Sequence, residues 1–256
     1  MITRKKILVT GSTGAIGSVL SEHLAMKGYN LILTGRIESK LTALVGKLKQ
    51  KYDVGIEATV SDFSNSESYK NVTNLLDPKL EGLVLMPPQV PPTEDCLPPK
   101  EEWAKIFEQS FTAPLMFLKS CIPFLEKSDR GKVVVVSGIS SAQVLSHYAT
   151  SNVLRTSWLA QAKTLAYAYG PKRVHFNTLS LGGVLTEKYQ ERLRNKAKTN
   201  NKTFDDQMDV EVSNVPLRKY AAPEEVAASI EGLLSSFSDH ITGMNIMCDG
   251  GFTRSY

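Results

Sequence analysis

Residues 6–20 read Lys6-Ile7-Leu8-Val9-Thr10-Gly11-Ser12-Thr13-Gly14-Ala15-Ile16-Gly17-Ser18-Val19-Leu20, a short apolar run that breaks into a glycine-spaced turn and resumes with helical spacing. The order is strand, turn, helix. Glycines at 11, 14 and 17 let the backbone turn tightly and approach a pyrophosphate, whose oxygens meet the free N–H groups and partial positive charge of the helix start. A glycine pattern alone is weak. One that follows the first apolar strand and opens a helix has the context a dinucleotide site requires.

Outward from this turn, apolar segments alternate with amphipathic ones. Strands are expected at Ile7–Thr10, Asn30–Thr34, Gly55–Val60, Gly82–Met86, Lys132–Ser137, Arg173–Leu179 and Met244–Cys248, with helices near 15–27, 38–51, 65–76, 100–126, 149–169 and 223–236. This alternation predicts an α/β fold, a Rossmann-like, doubly wound sheet of seven parallel strands with helices on both faces and ligands at the carboxyl ends of the strands. A single dinucleotide-binding domain over residues 1–256 accommodates it.

Composition narrows the function classes. The net charge of +4 is scattered, with no basic stripe or aromatic platform, so a nucleic-acid partner is not expected. Cys96, Cys121 and Cys248 lie far apart and the four histidines are dispersed, which fits neither a disulfide framework nor a metal site and suits a reducing cytoplasm. No stretch offers the ~18 apolar residues of a membrane span, and the amino terminus leads straight into the first strand, so neither a membrane nor export is expected.

Two segments break the rhythm. Residues 87–99, PPQVPPTEDCLPP, hold six of the twelve prolines and predict a stiff, partly extended loop after the fourth strand. Residues 187–215 form a long charged connection after the sixth, read either as a lid over substrate or as a solvated helix with a mobile tail.

The second strand ends Leu33-Thr34-Gly35-Arg36, where a dinucleotide fold reads the adenosine ribose. An acidic residue there accepts from a free 2′-hydroxyl, whereas arginine suits a 2′-phosphate, so Arg36 points to NADP over NAD. Asp62-Phe63, just past the third strand, is placed to face the adenine, although an aspartate there also reads as a plain helix N-cap.

These residues resemble the short-chain dehydrogenase/reductase superfamily, and the resemblance covers almost the whole chain. It rests on Thr10–Gly17, Arg36, Asp62-Phe63, Trp103, Asn177, Gly182 with Thr186, Pro223-Glu224-Glu225, Ile241-Thr242-Gly243 and Asp249-Gly250-Gly251, with Ala15 where compact members often carry glycine. The resemblance implies NADP(H) held by Gly11, Ser12, Thr13, Gly14, Ile16, Gly17, Arg36, Asp62, Phe63, Met86, Gly182, Val184 and Thr186. Thr186 would hold the nicotinamide carboxamide.

The catalytic half departs from the pattern. The family's Asn-Asn-Ala-Gly segment is replaced by Leu85-Met86-Pro87-Pro88, and its helix asparagine matches Ser110. No lysine stands four residues after Tyr148, where the chain has Asn152. Counting back from Asn177 and Gly182 instead puts Arg155 at the lysine position and Ser151 at the usual tyrosine position. The second register is preferred, because three inserted residues would rotate a packed helix by ~300°. Tyr148 then lies seven residues before the cation, an interval similar to the enoyl-acyl-carrier-protein reductase branch, and can assist only if its segment leaves the ideal helix. Ser137, Ser140 and Ser141 follow the fifth strand, although the best strand alignment sets Gly138 against the family's substrate-orienting serine. Which serine substitutes stays open.

The resemblance thus implies an NADP(H)-dependent reductase of a carbonyl (3-oxoacyl or ketone) or enoyl group, with Tyr148, Arg155, Ser137 and Ser110 as the catalytic set. The alternative is an NADP-binding sensor or structural subunit without turnover. A small-molecule or acyl-thioester substrate is implied; Lys127, Arg130, Lys132, Lys172 and Arg173, flanking the ends of strands five and six, read either as a surface for an acidic carrier or as ordinary solubility charges. A homodimer or homotetramer through the helices near 100–126 and 149–169 and the last strand is also implied.

Overall fold

The computed structural model describes residues 5–78 and 80–254. Seven strands form one parallel sheet in the order β3-β2-β1-β4-β5-β6-β7. They are β1 (Lys6–Val9), β2 (Asn30–Gly35), β3 (Ile56–Val60), β4 (Leu80–Leu85), β5 (Gly131–Gly138), β6 (Val174–Leu181) and β7 (Asn245–Cys248). The strand order reverses between β1 and β4, which pair directly through Ile7–Gly82, Leu8–Leu83 and Val9–Val84. A crevice therefore opens at the carboxyl ends of these two strands, where ligands of such sheets bind.

The strands are apolar on both faces because helices cover both. Ile7, Val9, Leu31 and Leu33 pack with Leu20, Leu24, Val226 and Ile230, from α1 (Ala15–Met26) and α9 (Pro223–Leu234). The intervening residues Leu8 and Ile32 turn the other way. They join Leu83, Leu85, Val133 and Val135 against Phe117, Leu118 and Trp158, from α5 (Ala113–Leu125) and α6 (Ala149–Tyr169). This alternation is the two-residue period of a strand read out as two cores. The remaining helices are α2 (Glu38–Lys51), α3 (Glu67–Thr73), α4 (Lys100–Phe107), α7 (Glu187–Thr199) and α8 (Phe204–Glu211).

Two segments differ from simple expectation. The helix expected near 100–126 is broken by a π-turn over Glu108–Thr112, where the Ala113 N–H reaches back to the Glu108 carbonyl. The Trp158 indole donates to the Ser110 carbonyl at 3.0 Å, satisfying an acceptor within the widened turn. A tertiary contact holds this turn, so local sequence does not reveal it. Residues 187–215 fold into α7 and α8, packed through buried Leu193, Ala197, Val212 and Val215. Among the described residues no helix is long and apolar enough to cross a membrane, and no cluster of side chains suits a metal ion.

Candidate active site

The glycine turn sits at the β1–β4 crevice. The Thr10 hydroxyl donates to the Val84 carbonyl (3.1 Å) and accepts from the Met86 N–H (2.8 Å), tying the ends of the two strands together. Gly11 adopts a left-handed φ of 59°, and a Cβ on Gly17 would stand 2.2 Å from the Gly11 carbonyl oxygen. The helix start must pass that close to the turn, so position 17 takes glycine only. Helix α1 begins with Gly14 as a cap that supplies no side chain, and its first turn has no acidic residue. Its first N–H groups are left for an external anion.

Around the turn, Ser12 is fully buried and its hydroxyl donates to the Thr34 carbonyl at 3.0 Å, so only its backbone borders the crevice. Thr13 lies against Gly35 at the end of β2, and Ile16 packs on the core. Arg36, next along from Gly35, is exposed and makes no hydrogen bond or ion pair with any described residue. Asp62 accepts from the Ser64 N–H and hydroxyl through Oδ1, at 3.0 and 2.9 Å. The Phe63 ring turns inward against Phe117, with centroids 5.2 Å apart.

On the other side, the Gly182 N–H donates to the Cys248 carbonyl (2.9 Å), Val184 bridges to Ala221, and the Thr186 hydroxyl caps α7 by accepting from the Tyr189 N–H (3.3 Å). The Tyr220 ring is seated over Gly183 and its hydroxyl donates to the Glu211 carbonyl at 3.1 Å. Burial pushes the Tyr220 phenol above its usual value, its hydrogen bond with Tyr189 opposes the shift, and the Glu211 carboxylate adds to it. Sequence reading missed Tyr220, since a lone aromatic in a loop carries no periodic or motif signal.

Tyr148 caps α6 with φ −137° and ψ 38°, outside the helix. Two bonds from one residue of the proline-rich loop hold the backbone on either side of it. The Thr93 N–H donates to the His147 carbonyl, and the Thr93 carbonyl accepts from the Ala149 N–H, each at 3.1 Å. The Asn152 amide closes the same loop, donating to the Leu145 carbonyl (3.1 Å) and accepting from the Leu145 N–H (3.3 Å). Asn152 therefore braces the tyrosine's loop.

Arg155, further along α6, is partly buried and forms no hydrogen bond or ion pair with any described residue. Burial pushes its guanidinium below the usual range, while attraction to Tyr148 opposes the shift. The guanidinium lies over Gly138, at the end of β5. Ser151 is fully buried, its hydroxyl 3.5 Å from that of Ser140; Ser141 pairs with Ser180 at 2.8 Å. The Ser137 hydroxyl is enclosed without a partner among the described residues, and Ser110 is buried in the π-turn.

One expectation is corrected here. The basic residues assigned to an acidic carrier stand near the amino ends of β5 and β6, at the opposite edge of the sheet from this crevice. Lys132 is 1% exposed and donates to Ser238 (2.9 Å) and Asp239 (2.8 Å), while Arg130 pairs with Asp239 and Lys172 with Glu126.

A family model described as enoyl-(acyl carrier protein) reductase matches residues 11–253. The 3-oxoacyl-[acyl-carrier-protein] reductase of Rickettsia felis is 25% identical over 253 residues, covering 98% of this chain and 97% of that one. Human dehydrogenase/reductase SDR family member 4 is 25% identical over 255 residues, covering 98% and 88%. Among solved structures, a Pseudomonas aeruginosa short chain oxidoreductase described as containing an atypical catalytic center matches with a TM-score of 0.90 at 21% identity, over 98% of each chain. The L-sorbose reductase of Gluconobacter frateurii, complexed with NADPH and L-sorbose, also matches at 0.90 with 21% identity, over 100% of this chain and 98% of that one. These structural likenesses speak for the fold. With the strand order, the glycine turn and a family match spanning nearly its whole length in agreement, the chain belongs to the short-chain dehydrogenase/reductase superfamily of oxidoreductases.

Proposed function

We propose that the chain reduces a carbonyl, as a 3-oxoacyl group or a ketone, or an activated enoyl group, with NADP(H) as the cofactor. The observation that carries this reading is the Arg155 guanidinium lodged over Gly138 at the carboxyl end of β5, on the same edge of the sheet as a turn that suits a dinucleotide. The turn fits the group: the cap of α1 leaves its N–H donors free, and Arg36 has no partner among the described residues. Gly11–Gly17 would hold the pyrophosphate and Arg36 the 2′-phosphate. Asp62 and Phe63 would border the adenine, and Met86, Gly182, Val184 and Thr186 the nicotinamide end. The NADPH-bound sorbose reductase supports that choice of cofactor.

When bound, the reduced nicotinamide supplies a hydride to the substrate. Tyr148 holds the proton that completes the reduction, and Arg155 stabilises the phenolate left behind. Arginine keeps its own proton at working pH, so Tyr148 recovers a proton by a route that does not pass through Arg155. Ser110 and Ser137 complete the proposed set from the π-turn and β5. Helices α7 and α8, resting on Tyr220, serve as the lid within a single cytoplasmic domain.

The test is calorimetric titration with NADP and NAD, then NADPH oxidation against ketones, 3-oxoacyl thioesters and enoyl thioesters, with Tyr148→Phe alongside. NADP binding is expected, with turnover that falls at least 100-fold in the variant. Failure to bind either nucleotide removes the reading. Binding without turnover favours a sensor, a role for which the buried Ser151 at the usual tyrosine position is the supporting observation.

A further inference from the structure

We propose that Gly138 and Arg155 are a matched pair: the missing side chain at 138 gives the guanidinium its place, and from there it donates to the substrate oxygen that becomes negative during reduction. This rests on the reductase reading above. A Cβ on Gly138 would lie 1.8 Å from Arg155 Nη1, 2.5 Å from Cζ and 3.2 Å from Nε, so any other residue evicts the guanidinium. The backbone does not ask for glycine. Gly138 has φ −150° and ψ 162°, extended values open to every residue, so what glycine supplies here is the room the guanidinium occupies.

The donors at this strand end point the same way. Ser140 and Ser141 are engaged with Ser151 and Ser180, and the Ser137 hydroxyl is enclosed. Arg155 carries five N–H donors, and none is spent on a described residue. A partly buried guanidinium without a counter-charge is costly, and an oxyanion formed beside it would offset that cost through charge-assisted hydrogen bonds. The guanidinium gives up no proton, so Tyr148 keeps the acid role while Arg155 carries the charge.

The test is a double-mutant cycle of Gly138→Ala and Arg155→Ala, read by kcat at saturating NADPH and by the Tm of the nucleotide-free protein. Each single variant is expected to lose ~100-fold in kcat, the size of one lost oxyanion donor. The double variant is expected to be no slower than Arg155→Ala alone. Gly138→Ala should shift Tm, and Arg155→Ala should abolish that shift. Wild-type turnover in Gly138→Ala, multiplying kcat losses, or additive Tm shifts overturn the pairing. A wild-type protein inactive on the whole substrate panel sinks the reductase reading and the donor role with it, whereas an active wild type with an equally active Gly138→Ala sinks this inference alone.

Discussion

At Gly17 and Gly138 the same residue type answers two different demands. Gly17 lets helix α1 cross the Gly11 carbonyl, a backbone constraint that belongs to the turn, whereas Gly138 makes room for a side chain that arrives from another element. The first can be read from spacing along the chain and the second cannot. Arg36 shows how far a single charge reaches. It has no partner among the described residues, so its guanidinium is available for bidentate contact with a 2′-phosphate. Arg36→Ala is expected to weaken NADP binding at least tenfold and leave NAD binding within about twofold, measured by calorimetry. Equal losses for the two nucleotides would remove the phosphate role.

Among the elements, the proline-rich loop has the clearest mechanical part. Composition predicts its stiffness, but the two hydrogen bonds from Thr93 that flank Tyr148 join positions 54 and 56 residues apart in sequence and carry no local signal. Thr93→Pro removes the donor to His147 and should lower kcat by ~10-fold with nucleotide affinity unchanged, because the glycine turn lies on other strands. Unchanged kcat would show that Tyr148 needs no such brace. Helices α1 and α2 are joined by Glu22, which accepts from Lys47 and Lys51 at 2.7 Å each. These bonds, that to Lys47 first, hold the Glu22 carboxyl at about 2, below its ordinary 4.5. A depressed carboxyl stabilises the fold above its unfolded value and loses that contribution as pH falls through its folded value. Glu22→Gln should therefore melt ~1–2 °C below wild type at neutral pH, the modest size being set by the exposed lysines, and the gap should close between pH 4.5 and about 2. A gap independent of pH would contradict the ion-pair origin.

For the whole molecule, α5 and α6 leave Met116, Val153 and Tyr167 exposed at 42%, 47% and 90%, on helices whose inner faces are already packed. Light scattering is expected to give a dimer or tetramer, and a monomer at working concentration would count against assembly through these helices. The sequence by itself determined the α/β class, the seven parallel strands and the glycine turn, because strand and helix periods and glycine spacing are local properties that burial on both faces only reinforces. It also brought Arg155 forward, by counting residues through one helix and one strand. Only the tertiary structure decided that Tyr148 stands outside the helix, that Thr93 and Asn152 brace its loop, that Tyr220 covers Gly183, and that the space over Gly138 is filled by a guanidinium. The Thr93, Tyr220 and Gly138 contacts join segments distant along the chain, and their geometry exists only once the sheet has brought the strand ends together.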